Sequence, residues 1–144
     1  MPEPVIICLH QPALELAEKV AFLCDGEVHG LQSRVNTIPE TFEKTKEHLR
    51  NLFQKGHPLV GICSSGILIR SLADVLSDKH TEPPVLAVAE DGSCVIPLLG
   101  GHHGANDLAR KIASGLGVAA AVSTAGDLKF GIALDQPPED LTLA

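Results

Sequence analysis

The sequence predicts an α/β fold, a layered and largely parallel sheet flanked by helices, on three observations. Short, continuously apolar and β-branched runs recur along the chain, as in strands covered on both faces. Segments with apolar residues at helical spacing stand between them. Glycine, proline and serine mark most of the junctions. Strands alternating with helices of about 10–15 residues imply crossover connections and hence parallel pairing.

Val5-Ile6-Ile7-Cys8-Leu9 is the first such strand. Leu14, Leu16, Ala17, Val20, Ala21 and Phe22 follow at near-helical spacing between Pro12 and the breaker Gly26, giving a first helix. Residues 27–31 form a second, less strongly marked strand. Thr37-Ile38-Pro39-Glu40 reads as a helix entry, and Phe42, Thr45, Leu49, Leu52 and Phe53 as the apolar stripe of a helix ending near Gly56. Leu59-Val60-Gly61-Ile62-Cys63 is the next buried strand, and Ser64-Ser65-Gly66 leads into a helix over residues 67–76. After Pro83-Pro84, residues 85–89 form a strand, and the turn Glu90-Asp91-Gly92-Ser93 returns the chain as a hairpin through Cys94-Val95-Ile96. A glycine-rich loop, residues 100–104, precedes a helix over about 105–114. Residues 119–122 are predicted as a last buried strand, with a short extended stretch at 130–134. Residues 1–134 are expected to form one domain and 135–144, with Pro137-Pro138, a linker toward a further domain.

Composition narrows the function classes. At 144 residues with 44% hydrophobic content, the chain has material for a core without disulfides or metals, burying on the order of two-thirds of its unfolded surface. Eleven Lys and Arg against eighteen Asp and Glu give a net charge of -7, opposite to the basic footprint of a nucleic-acid binder. There is no Trp or Tyr to stack on bases. Cys8, Cys24, Cys63 and Cys94 show no CxxC spacing and read as reduced core residues of a cytoplasmic protein. The apolar run near the amino terminus is too short for a signal or membrane segment.

Two segments have the form of ligand-binding loops at helix starts, where free N–H groups and the positive dipole end receive anions. The first is Gly61-Ile62-Cys63-Ser64-Ser65-Gly66, with Arg70 one turn on, placed either to meet an anionic ligand or to pair with Asp74. The alternative for this loop is structural: Ser65 caps the helix and Gly66 permits the turn. The second is Gly100-Gly101-His102-His103-Gly104-Ala105-Asn106-Asp107, whose paired imidazoles suit a general acid or base. No other ligand stands at metal-site spacing, so no metal is expected there, and the plain alternative is a turn with Asn106 or Asp107 as cap. Ser123 and Thr124, in Ser123-Thr124-Ala125-Gly126-Asp127, form a third wall of the same cleft or an ordinary hydroxyl-rich loop. His10, His29, His48, His57 and His80 are isolated and read as surface residues.

Three stretches in order carry a resemblance: residues 59–70, residues 95–110 from Val95-Ile96-Pro97 to Leu108-Ala109-Arg110, and residues 123–127. Together they resemble the N-terminal and middle regions of the cobalamin-biosynthesis CbiG family over roughly half the chain. The resemblance implies cobalt-precorrin-5A hydrolase activity, which opens the ring A acetate lactone of a contracted macrocycle and expels acetaldehyde. It implies a corrinoid or tetrapyrrole ligand, with cobalt present only as part of that substrate and no cofactor in this fragment. Some family members are fused ahead of a precorrin-3B C(17)-methyltransferase, and residues 130–134 running into the Pro-Pro segment are similar to such fusions. Nothing here resembles the methyltransferase or its S-adenosylmethionine site. The family often has Gly-His-x-Gly-Gly-Ala-Asn where this chain has the shorter Gly-His-His-Gly-Ala-Asn, so either His102 or His103 stands for the family histidine.

A corrinoid precursor carries many acetate and propionate carboxylates, which helix N-termini and glycine loops are suited to receive. Lactone hydrolysis needs an activated water and a stabilised oxyanion. His102 or His103 is the expected base, with oxyanion donors among the N–H groups near Ser65-Gly66 or Gly104-Ala105. The net charge of -7 opposes an anionic ligand, so local dipoles and Arg70 must offset it. Two other readings stay open: a non-catalytic N-terminal module of a corrinoid methyltransferase, and a small-molecule-binding regulatory or dimerisation domain.

Overall fold

The computed structural model describes residues 2–77, 81–101 and 104–123. Six strands form one sheet in the order β3-β2-β1-β4-β5-β6. They are β1 (Val5–Cys8), β2 (Glu27–Leu31), β3 (Thr41–Phe42), β4 (Leu59–Ile62), β5 (Val85–Val88) and β6 (Val95–Leu99). All neighbours pair in parallel except β5 and β6, which form the expected antiparallel hairpin. Four helices flank the sheet: α1 (Leu14–Cys24), α2 (Thr45–Gln54), α3 (Ser65–Leu72) and α4 (Ala105–Leu116). The predicted α/β architecture is the one observed.

Every residue of β1, β4 and β5 is buried, as their unbroken apolar runs require of strands covered on both faces. Alternation along each strand divides the core into two layers. Ile6, Cys8, Val60, Ile62, Leu86 and Val88 pack with Ala17 and Val20 of α1 and Ala109 and Ile112 of α4. Val5, Ile7, Leu59, Val85 and Ala87 pack with Leu49, Leu52 and Phe53 of α2 and Leu68 and Leu72 of α3. Gly61 sits in the second layer because a Cβ there would lie 2.8 Å from Leu68 Cδ2. The missing side chain lets α3 settle against β4.

Three elements differ from expectation. Residues 37–40 do not open a helix: Thr41 and Phe42 pair with Gly30 and Leu31 as β3, and α2 starts at Thr45. Phe42 extends the apolar stripe of α2 because it enters the same core layer, from a strand instead of the helix. The predicted buried strand at 119–122 is a single parallel bridge from Ala120 to Val95, with Ala119 and Ala121 exposed. The run lies outside the edge strand β6, where there is no second layer to cover small alanines. The helix expected over 67–76 begins earlier, at Ser65, and continues beyond Leu72 as a 3₁₀ turn, Ala73–Val75. The stretch at 130–134 and the linker at 135–144 lie outside the described residues. No helix among the described residues is long and apolar enough to cross a membrane.

Candidate functional site at the carboxyl edge

The strand order reverses beside β1: the chain runs outward through β2 and β3, then crosses back to place β4 on the other side. In open α/β sheets the crevice outside the carboxyl ends of the strands at such a switch point is where ligands bind. Three loops meet there, following β1, β4 and β5.

His10, two residues after β1, places Nε2 at 2.8 Å from Oε2 of Glu90, which follows β5. The contact arches over β4, since β1 and β5 flank that strand. A carboxylate only accepts, so Nε2 carries the proton and Nδ1 is the ring nitrogen left to take one. The backbone of His10 is extended, at φ -157 and ψ 153, and leads into a 3₁₀ turn over Gln11–Ala13. Its carbonyl accepts from the Cys8 thiol at 3.3 Å and the Ala13 N–H at 3.1 Å. With side chains 32% and 51% exposed, the pair is reachable from solvent.

Beneath it stands the Ser64-Ser65-Gly66 loop. Ser64, not Ser65, occupies the cap position of α3, and its side chain makes no capping bond. The hydroxyl of Ser64 is exposed. Arg70 folds back by one helical turn, so that a Cβ on Gly66 would meet its Nη1 at 2.8 Å. Arg70 therefore sets its guanidinium over the first turn of α3, where positive charge adds to the helix dipole. Asp74 does not compete for it, lying 3.4 Å from Lys46 Nζ and 4.0 Å from Arg50 Nη1. Ser64, Ser65, Gly66 and Arg70 thus lie together at the start of α3.

The glycine-rich loop is at the other end of the sheet. Because β6 runs antiparallel to β5, Leu99 pairs with Val85, the first residue of β5, and Gly100 lies against Pro83 and Pro84. Gly100, Gly101, Gly104 and the buried Asn106 therefore sit beyond the amino edge, and one cleft walled by both glycine segments does not form. The hairpin is what separates them: an odd reversal of chain direction moves the next loop to the opposite edge. Gly104, at φ +91, takes the cap position of α4, so neither Asn106 nor Asp107 caps the helix. Asp107 pairs instead with Arg110 at 3.6 Å. Ser123 is exposed beyond the bridge on the outer side of β6, two strands away from Ser64. His102, His103 and Thr124 lie outside the described residues.

Four of the histidines read as surface residues have partners. His10 holds Glu90, and His29 Nδ1 lies 2.8 Å from His48 Nε2. His48 stacks on Phe42 with ring centroids 4.5 Å apart, and burial, then the nearby His29 and Lys55, push its pKa down. Short sequence windows contain no sign of these pairs, because each joins segments that only the sheet order brings together. His57 Nδ1 contacts the Glu3 carbonyl at 2.9 Å.

Cys63 closes β4 under the Glu90 carboxylate. Burial, with a smaller push from Glu90, raises its thiol from 9.0 to about 12, so it stays protonated and is no nucleophile at neutral pH. In the unfolded chain the thiol releases its proton near 9, whereas the folded protein retains it up to about 12. Stability is therefore expected to fall as pH rises through that window, in urea melts taken from pH 8 to 11. A Cys63→Ala variant should flatten that decline. Among the described residues, the carboxyl edge holds no group of three side chains close enough to share a metal ion.

The chain matches the protein family described as cobalamin synthesis G N-terminal over residues 47–127. It is 38% identical over 88 residues to the cobalt-precorrin-5A hydrolase of Priestia megaterium and 40% identical over 87 residues to that of Salmonella typhimurium. Each alignment takes in 60% of this chain but only 24% and 25% of the relatives, so the chain spans about a quarter of the length of the curated proteins it matches. A solved structure of a cobalamin biosynthesis protein G homolog from Sulfolobus solfataricus shares the fold, with a TM-score of 0.61 at 22% identity, over 84% of this chain and 36% of the other.

Proposed function

The chain belongs to the cobalamin synthesis G N-terminal family, and from that premise we propose that it binds a precorrin or cobalt-precorrin intermediate of cobalamin biosynthesis and serves the opening of the ring A lactone. The observation that carries this reading is the identity of 38–40% to two cobalt-precorrin-5A hydrolases. Cobalt enters as part of the substrate, and the reading calls for no other cofactor.

The geometry supports it at the carboxyl edge. A substrate rimmed with carboxylates finds the start of α3, the Ser64 hydroxyl and the Arg70 guanidinium grouped there, a local positive end in a chain of net charge -7. In the hydrolytic step a base takes a proton from water as its oxygen attacks the lactone carbonyl, N–H donors hold the tetrahedral oxyanion, and the ring oxygen leaves as an alcohol. By resemblance the base is His102 or His103. A second reading assigns it to Nδ1 of His10, favoured by the 2.8 Å contact that fixes its ring on Glu90 at the switch point.

Visible absorbance tests the binding reading. Titration with a cobalt-precorrin is expected to shift the corrinoid spectrum and saturate at micromolar concentration. Arg70→Ala should weaken binding about 10- to 100-fold, the range for a charge-assisted hydrogen bond. No spectral change would overturn the reading in favour of a regulatory or dimerisation role.

A further inference from the structure

We propose that Glu27, His29 and Glu40 form a binding site for a divalent transition-metal ion, of the mixed imidazole and carboxylate kind that zinc occupies, at the β2–β3 end of the sheet. One ligand atom from each residue lies within 4.8 Å of the others. His29 Nε2 and Glu27 Oε1 are 3.8 Å apart. That is too long for a hydrogen bond. It is close to the roughly 3.4 Å between two ligands bound tetrahedrally at about 2.1 Å from one ion.

The backbone sets this arrangement. Glu27 and His29 are two residues apart on β2, so both side chains project from the face on which α2 packs. Glu40 is drawn alongside when its carbonyl accepts the Gly30 N–H at 3.0 Å, just before β3 begins. Glu27 is 41% exposed and His29 14%, which leaves an entry path while holding the imidazole in place.

A group outside the three ligands orients the histidine. His29 Nδ1 lies 2.8 Å from His48 Nε2, and His48 is itself stacked on Phe42. For His29 to ligate through Nε2, Nδ1 must carry the proton and donate it to His48. Ligating histidines are typically fixed in this way, by a partner on the remote ring nitrogen. No lysine or arginine pairs with Glu27, His29 or Glu40 among the described residues. One imidazole nitrogen with carboxylate oxygens suits Zn²⁺ or Mn²⁺ better than the all-oxygen preference of Ca²⁺ or the thiolate preference of softer ions.

Calorimetric titration of the metal-free chain with Zn²⁺ tests the site without reference to any activity. One ion is expected to bind per chain, at micromolar or tighter affinity. Glu40→Gln alters an exposed residue and leaves the fold intact, yet should weaken binding at least 10-fold. His29→Gln should do the same and remove the visible bands of bound Co²⁺. His48→Phe keeps the stacked ring but loses the nitrogen, and should weaken Zn²⁺ about 10-fold at unchanged stoichiometry, while His57→Gln should have no effect. Absence of binding, or binding that survives Glu40→Gln and His29→Gln in variants whose melting temperatures match the parent's, overturns the proposal.

Discussion

Replacing Gly100 with alanine is expected to destabilise the fold by about 2–5 kcal/mol, read as a large drop in the urea midpoint at unchanged slope. Two penalties combine. The residue has φ +83, where an L side chain costs about 1–2 kcal/mol. Its Cβ would also lie 2.6 Å from the Pro83 carbonyl oxygen and from Pro84 N and Cα, backbone atoms that cannot swing aside. Forcing the β6 terminus away from β5 costs a further 1–3 kcal/mol or so. Against a total stability of about 5–15 kcal/mol, that is a large share.

The neighbouring glycines separate the two penalties. Gly104 has φ +91 but nothing within 4 Å of its added Cβ, so Gly104→Ala should cost about 1–2 kcal/mol from backbone strain alone. Gly101 has neither feature, and Gly101→Ala should stay within about 0.5 kcal/mol. Equal midpoints for Gly100→Ala and Gly101→Ala would mean that the loop does not pass against Pro83 and Pro84. The series also divides the glycine-rich segment by role. Gly100 serves the packing of β6, while an added Cβ at Gly101 or Gly104 meets no described atom within 4 Å.

The sheet was legible in the sequence because its strands are buried on both faces and leave unbroken runs: Val5 to Leu9, Leu59 to Cys63 and Val85 to Ala89 are each found within a residue or so of their observed limits. The hairpin at Glu90-Asp91-Gly92-Ser93 was legible from turn chemistry. Its consequence was not. Periodicity shows where a chain reverses but not which edge the following loop reaches, so the sequence groups Gly100, Gly101, Gly104 and Asn106 with Ser64 to Gly66, whereas β6 carries them to the other end. Phe42 reads as part of a helix for a related reason: an apolar stripe records a shared core layer, and β3 and α2 share one. At the candidate site, Ser64, Gly66 and Arg70 belong to one strand–loop–helix unit and could be read locally. The His10–Glu90 and His29–His48 contacts join residues far apart in sequence, and composition alone made these histidines look like surface residues.

On the proposed hydrolase reading with His102 or His103 as base, combined replacement of both by alanine in the full-length protein is expected to lower acetaldehyde release from a cobalt-precorrin about 10²- to 10⁴-fold, the usual contribution of a positioned base. The corrinoid absorbance titration should stay unchanged. Geometry makes this a sharp alternative to the same experiment on His10→Gln and Glu90→Gln. A base must lie within hydrogen-bond reach of the water it activates; Gly101 and Gly104, which bracket the paired histidines in sequence, lie beyond the amino edge, whereas His10 follows β1 at the carboxyl edge. Four residues of β5 alone span about 10 Å. One reaction centre cannot be served from both ends. If His102 or His103 is the base, His10→Gln leaves the rate within a few-fold. If the base is at the switch point, His10→Gln abolishes release and the double variant is silent. In that case Glu90→Gln should lower the rate by less than His10→Gln does, because the amide oxygen still accepts from Nε2 and holds the ring in place.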